Sequence, residues 1–505
     1  MNILDYIGIG FSVAMQPVNL FYCFVGVFIG TLVGVLPGIG PIGAMSLLLP
    51  VTFKSSPEAG IIMLAGIYYG AMYGGSTTSI LVNIPGEAAS VVTCLDGHQM
   101  ALKGRAGPAL GISAFGSFIA GTLSIVGLMF LAPPLCMLAL KFGPPEYFTL
   151  MILGLSVLIY LAHGSMVKAL VMATFGIVLS AIGIDAITGT LRMTFGKIEL
   201  MDGVGLVPIV MGLFGIAEVF LNLEQEIRSE RGIIKTNIRE LLPTAKDWRD
   251  SRGAIARGSL LGFFLGILPG GGGLIASFAS YAIEKRISKH PERFGYGAIE
   301  GVAAPESANN AATGGAFVPL LTLGIPPNVV MALLLGAFMI HGIQPGPMMM
   351  EKYPGVFWGI ICSMYIGNVM LLVLNLPLIG IWVQVLKVPY KILFPLILLF
   401  CIIGVYTVNN AVFDIYVMIA FGVVGYLMKK FEYEGAPLVL AFVLGPLLEL
   451  NMRKSLILSQ GDFSIFITRP LAAGALILAL MLLLTPLIPA LRKKRKAIAV
   501  KEEEF

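Results

Sequence analysis

Along most of the chain apolar residues come in unbroken runs and do not alternate with polar ones, as at 18–36, 108–131, 147–162, 166–184, 204–222, 355–386 and 468–490. Many of these runs are close to the ~20 residues that a helix needs to cross a bilayer. Their lack of a period of two excludes a membrane β-barrel. The pattern predicts an all-α polytopic membrane protein with about 11–13 membrane segments. One stretch breaks the pattern. Gly258 to Pro327 sets Pro269, four consecutive glycines, Glu300, Glu306, Asn309 and Asn310 among apolar residues, where a spanning helix should continue.

That stretch has a counterpart. Gly26, Gly30, Gly34, Pro37, Gly38 and Gly40 recur 232 residues later as Gly258, Gly262, Gly266, Pro269, Gly270 and Gly272. Farther on, Gly74 and Gly75 align with Gly314 and Gly315, and Ile84-Pro85 with Ile325-Pro326 after one inserted residue; Gly205 and Gly215 match Gly435 and Gly445. The order of motifs is preserved, so the chain divides into a first transmembrane repeat (1–223), a hydrophilic linker (224–257), a second repeat (258–467), a final helix (468–490) and a tail (491–505).

Charge orients these pieces. The linker carries Arg228, Arg231, Lys235, Arg239, Lys246, Arg249, Arg252 and Arg257, and the tail Arg492, Lys493, Lys494, Arg495 and Lys496. The positive-inside tendency puts both in the cytoplasm. Residues 1–53 have no Lys or Arg, so the N-terminus is expected in the periplasm. The first glycine unit is flanked by almost no basic residue and the second by Arg257, Lys285, Arg286, Lys289 and Arg293. Opposite flanks imply opposite faces, the inverted-repeat plan of many secondary transporters, with re-entrant or broken helices at each glycine unit. Arg453 and Lys454 would then lie outside, against the rule.

Composition agrees: 57% of residues are hydrophobic and 12% charged, about half the ~25% charge of soluble proteins, and the mean hydropathy is +0.90. A net charge of +5 reports topology and contact with the lipid bilayer, and no nucleic acid is implied. The start has no basic n-region and no small-residue cleavage site, so it reads as mature chain. Five cysteines lie singly, which suits packing better than a disulfide framework or a metal site. No Walker A run, H-E-x-x-H or G-x-S-x-G occurs, so no enzyme activity and no cofactor is expected.

A helix broken at P-G-x-G leaves unpaired N–H groups at the start of the next half-helix, and in hydrocarbon these survive only where they line a cavity or pack in protein. Such a start carries roughly half a positive charge and attracts carboxylates, while nearby carbonyls suit Na⁺. Gly38, Gly40, Gly270 and Gly272 are therefore candidate binding residues, whereas Gly26, Gly30, Gly258 and Gly262 read as close-packing positions. Ser76, Thr77, Asn309 and Asn310 supply neutral oxygen and nitrogen groups for Na⁺ or a carboxylate. Hydrogen bonding between helices is the other use of such residues and the reading preferred for Thr78, Ser79, Asn83, Thr313 and Thr322. Glu306 is a candidate as an ionisable group at membrane depth, or else lies near the cytoplasmic surface. His98 beside Asp96 reads as a loop residue, and Arg192 as an interfacial anchor or, less well, a screen for an anionic substrate.

The runs G-T-L-V-G-V-L-P-G-I-G-P-I-G, Y-G-G-S-T-T-S-I-L-V-N-I-P-G-E, L-D-G-H-Q-M-A-L-K-G-R-A-G, G-F-F-L-G-I-L-P-G-G-G and G-V-A-A-P-E-S-A-N-N-A-A resemble the large membrane subunit of the tripartite tricarboxylate transporter family. The resemblance covers nearly the whole chain. It implies a bacterial inner-membrane carrier for citrate-like carboxylates, driven by an ion gradient, working with a small membrane subunit and a periplasmic solute-binding protein. It supports Gly38, Gly40, Gly270, Gly272, Glu306, Asn309 and Asn310 as motif residues. The chain departs from the family pattern at Ile325-Pro326-Pro327-Asn328, where a small or hydroxylated residue commonly follows I-P-G.

Two half-helix starts offer on the order of one positive charge to a substrate carrying up to three negative ones. Co-transported cations, Na⁺ in preference to H⁺, are expected to make up the difference. A dicarboxylate or aromatic carboxylate, or an anion channel, are the alternatives.

Overall fold

The computed structural model describes residues 3–36, 40–162, 165–185, 187–224, 241–386, 388 and 390–485. Pro37 and Gly38, four of the eight basic linker residues and the whole basic tail lie outside them. The first half comprises α1 (Ile3–Ala14), α2 (Pro17–Val35), α3 (Gly40–Thr52), α4 (Pro57–Val82), short helical turns over 88–102, α5 (Ala106–Ala139), α6 (Pro144–Leu161), α7 (Met166–Ser180) and α8 (206–224). The second comprises α9 (Ala245–Ile267), α10 (Gly272–Ile287), α11 (Glu300–Leu323), α12 (Val329–Ile340), α13 (Pro354–Asn375), α14 (Tyr390–Asn409), α15 (Val412–Lys430), α16 (Gly435–Leu458) and α17 (Pro470–Leu484). Among the described residues six helices are long and apolar enough to cross a membrane and seven more are shorter and apolar. Among the described residues the strands are two short ones, Gly183–Ile184 paired antiparallel with Leu191–Arg192.

The chain is thus an all-α polytopic membrane protein, and its breaks have local causes. α9 begins at a capping box in which Thr244 and Asp247 satisfy each other's backbone N–H. Its first half, Ala245–Arg257, is the end of the expected linker, so the hydrophilic stretch becomes helix well before the apolar run starts. α9 stops at Leu268, which turns extended ahead of Pro269 as a residue before proline must. α10 then starts through Gly270 at φ +76° and Gly272 at φ +42°, and α3 through Gly40 at φ +62°; side chains rarely tolerate this left-handed backbone. α4 and α11 also end alike, at Asn83 (φ 60°) and Gly324 (φ 70°).

α4 and α11 are buried on all sides over nearly their full length, and glycines bring their partners in. A Cβ on Gly26, Gly30 or Gly34 would strike the carbonyls of Met63, Ile67 or Ala71; on Gly258, Gly262 or Gly266 it would strike those of Ala304, Ala308 or Ala312. The packing reading holds for the ladder glycines.

The ladder also corrects the alignment of the repeats. Gly74 lies over the Thr31 carbonyl and Gly315 over that of Phe263. Thr31 and Phe263 are equivalent at the 232-residue offset, so the counterpart of Gly74 is Gly315 and not Gly314. The inserted residue therefore precedes α11, and the whole of α4 maps onto α11 at an offset of 241.

α4 and α11 cross antiparallel: Tyr68 faces Phe317 with ring centroids 6.5 Å apart, while farther along α4 Ser76 reaches back to Glu306. Equivalent helices running in opposite directions are what an inverted repeat requires. The halves exchange elements around this crossing. α5 packs on α11 and α9, and its counterpart α13 on α4 and α2; α7 packs on α16 as α15 does on α8. One hydrophobic core runs through both. α3 packs on α4 and α10 on α11, so the crossing helices lie between the two hairpins.

Candidate functional site

A cluster of buried polar groups lies at the α4–α11 crossing, among them Ser76, Glu306, Asn309 and Asn310. Glu306, 1% exposed, accepts hydrogen bonds from Ser76 Oγ at 2.5 Å and from Thr93 Oγ1. It is thus deep inside the protein, and one carboxylate on the second half ties down two segments of the first. Asn310 turns toward α5, donating from Nδ2 to Ser117 Oγ at 2.7 Å and to the Glu306 carbonyl at 3.0 Å. Below it a cavity of about 20 Å³ is bounded by Tyr69, Tyr73, Asn310, Thr313 and Asn368, room for one water-sized group.

Asn309 faces elsewhere, because successive residues on a helix point ~100° apart. Its Nδ2 donates to Glu87 Oε1 at 3.1 Å. Its Oδ1 is buried without a hydrogen-bond partner and is the nearest atom to a Cβ built on Gly273, in the first turn of α10. The structure therefore places Asn309 and Gly272 in one neighbourhood, with Ser76, Glu306 and Asn310 along the adjoining face of α11. Thr77 is buried on α4, Gly40 starts α3 on the far side of α4, and Gly270 donates its N–H to the Pro327 carbonyl at 2.8 Å. Gly38 lies outside the described residues.

Sequence reasoning missed Glu87. It is 8% exposed and caps the turn that follows α4 by accepting from Ala89 N at 2.7 Å. The signal was present as the residue closing I-P-G-E. At the repeat offset its counterpart is Asn328, which caps α12 through Met331 N at 2.9 Å and donates to Tyr68 OH at 3.1 Å. Tyr68 is the counterpart of Asn309, so the two contacts are one contact repeated.

Asp96 was also missed. It is fully buried, and accepts from Gly295 N, Gly297 N, Ala298 N and Tyr281 OH at 2.7–2.9 Å. It clamps the approach to α11 onto the turns over 88–102, and His98 beside it belongs to a helical turn, with Nδ1 3.0 Å from the Ile80 carbonyl.

Arg192 does not wait for an anion. Its Nη1 is 2.8 Å from Glu449 and 3.4 Å from Asp185, and Arg453 pairs with the same two carboxylates at 2.6 and 2.9 Å. The 330 Å³ cavity beside them adds Asp202, giving three acids to two guanidiniums. The N–H groups of Thr188 and Ile187 together with Arg453 hold the Asp185 carboxyl well below the usual range. The charge of Arg453 is thus neutralised within the protein, which removes its force as a topological signal.

A helical membrane protein whose two halves repeat in opposite directions around a buried polar crossing has the architecture of a secondary transporter. The tripartite tricarboxylate transporter TctA family matches residues 20–440, and the chain belongs to that family of transporter subunits. It is 53% identical over 503 residues, the whole of both chains, to a protein of Agrobacterium vitis described as an uncharacterized 52.8 kDa protein in the TAR-I ttuC' 3' region. It is 54% identical over 242 residues, 48% of this chain and all of the other, to an uncharacterized protein in the TAR-II ttuC' 3' region of the same organism. No solved structure matches.

Proposed function

We propose that the protein is the carrier subunit of a cation-coupled importer for a tricarboxylate or related carboxylate such as citrate. It sits in the bacterial inner membrane with its C-terminus in the cytoplasm and its N-terminus in the periplasm. A periplasmic solute-binding protein delivers substrate and a small membrane subunit completes the assembly. No bond is made or broken in the substrate; the two hairpins, α2–α3 and α9–α10, move relative to the crossing and expose the site alternately to the two sides.

One observation carries the coupling. Glu87 and Glu306 are both buried, and among the described residues no Lys, Arg or His pairs with either. An uncompensated carboxylate in a membrane interior is costly. An anionic substrate arriving beside them raises that cost unless cations or protons arrive with it. Na⁺ fits the neutral oxygen donors around them better than a softer ion.

The test is uptake into proteoliposomes with the binding protein and small subunit present. An inward Na⁺ gradient is expected to drive accumulation of labelled citrate. Unchanged uptake at zero Na⁺ with the proton gradient clamped would sink the coupling, and flux without the binding protein at channel-like rates would sink the carrier.

A further inference from the structure

The geometry points to a binding site for a monovalent cation of sodium's size between the Glu87 carboxylate and Asn309 Oδ1, beside the first turn of α10. The inference rests on the proposed transport function and names the residues at which coupling is done.

Asn309 is 1% exposed. Its amide nitrogen is committed to Glu87 Oε1, while its oxygen has no hydrogen-bond partner among the described residues and is directed at Gly273. An unpaired buried acceptor leaves its desolvation unrepaid, ~1–3 kcal/mol in the usual case. Here it lies on the same amide that touches the Glu87 carboxyl, which has no basic partner among the described residues. An acceptor next to a carboxylate repels anions and favours a hard cation with oxygen ligands. Three segments converge on the spot: the 87–90 turn from the first half, and α10 and α11 from the second. Glycine at 273 is what admits them, since a Cβ there would overlap Asn309 Oδ1 and come 3.3 Å from Ala89 Cβ.

Glu306 is the weaker candidate, because each of its carboxylate oxygens already accepts a hydroxyl, from Ser76 and Thr93. It latches the halves together.

The repeat supplies an internal comparison. At the repeat-related place, also formed between the halves, Asn328 replaces Glu87, Tyr68 replaces Asn309 and Pro41 replaces Gly273. Asn328 uses its oxygen on Met331 N and its nitrogen on Tyr68 OH; that set is neutral and its amide is satisfied. The cation site is therefore built once in two otherwise related places.

A cation joining both halves stabilises the folded state in proportion to its occupancy. The thermal midpoint of the purified full chain in detergent, followed against NaCl with choline chloride holding ionic strength constant, is expected to rise with Na⁺. Glu87→Gln and Asn309→Leu abolish that rise, and Glu87→Asp, which keeps the charge on a shorter arm, moves it to about tenfold higher Na⁺. Asn328→Ala keeps it. A sodium response absent from the wild-type protein, or intact in a folded Glu87→Gln, overturns the site. Proteoliposome uptake separates the two claims: Na⁺-driven uptake that persists in Glu87→Gln removes this site and leaves the transport function standing. Sodium binding lost in Glu87→Gln, with wild-type uptake indifferent to Na⁺, leaves the site and removes the coupling.

Discussion

Ser76 on α4 donates its hydroxyl to Glu306 on α11 at 2.5 Å, across 230 residues of sequence and between two helices that are each other's repeat. The equivalent positions with the halves exchanged are Phe317 and Ala65, so the hydrogen bond occurs once and its mirror image is apolar. Removing the Ser76 hydroxyl leaves a buried carboxylate one donor short. Ser76→Ala is expected to destabilise the protein by about 1–3 kcal/mol, and to cost less in a Glu306→Gln background, as read from a double-mutant cycle of thermal midpoints. Equal losses in both backgrounds would show that the two do not act as a pair.

The glycine ladders predict a graded response to one methyl group. Gly262→Ala sets a Cβ against the Ala308 carbonyl, and Gly26→Ala against that of Met63, whereas Gly8→Ala meets nothing within 4 Å. Overpacking costs roughly 1–3 kcal/mol, so the first two variants should lose thermal midpoint or monodispersity in size-exclusion profiles. Gly8→Ala should match the wild type.

At the hairpin starts the constraint is on the backbone and not on space, because none of the described residues lies within 4 Å of a Cβ at Gly40 or Gly272. Their φ values of +62° and +42° nevertheless make Gly40→Ala and Gly272→Ala strained by about 1–2 kcal/mol each. Both are expected to lower initial uptake rates more than Gly8→Ala does. Rates equal to wild type would mean that the start of the half-helix is free to move without loss of transport.

Asp96 gathers three backbone N–H groups and a tyrosine hydroxyl. Asp96→Asn halves the acceptor capacity facing them, and should lower stability by about 3 kcal/mol, without altering the sodium dependence of the thermal midpoint. A changed sodium dependence would place Asp96 in the ion site.

Asp185, in the hairpin between α7 and α8, is the group for which acid matters. Its folded pKa is depressed by the N–H groups of Thr188 and Ile187 and by Arg453. Its stabilising contribution is therefore fully present above the unfolded value of about 3.9, and is lost as pH falls from there through the depressed folded value. The difference in thermal midpoint between wild type and Asp185→Asn should be constant from neutral pH down to mildly acidic pH and shrink below about pH 3.9. A difference that grows on acidification would contradict the ion-pair arrangement.

The apolar runs, the two P-G-x-G breaks and the repeat that contains them were legible in the sequence, because helix formation, helix breaking and close glycine packing depend on residues a few positions apart. The sequence left Glu306 between membrane depth and the cytoplasmic surface, and the fold buries it. Which polar groups meet was not legible. Asn309 and Asn310 are neighbours in the chain, yet one reaches Glu87 and the other Ser117, because helical rotation turns one toward the 87–90 turn and the other toward α5. The alignment of Gly74 with Gly314 looked sound until the ladder showed Gly315 in the equivalent contact, since a one-residue shift leaves composition unchanged but turns every side chain by ~100°. By itself the sequence determined that this is an all-α polytopic membrane protein and pointed to an internal repeat with P-G-x-G units. The antiparallel crossing of α4 and α11 decided the rest. Only that contact, between segments more than two hundred residues apart, brings Glu87 of the first half to Asn309 and Gly273 of the second and leaves the repeat-related place, at Asn328 and Tyr68, neutral.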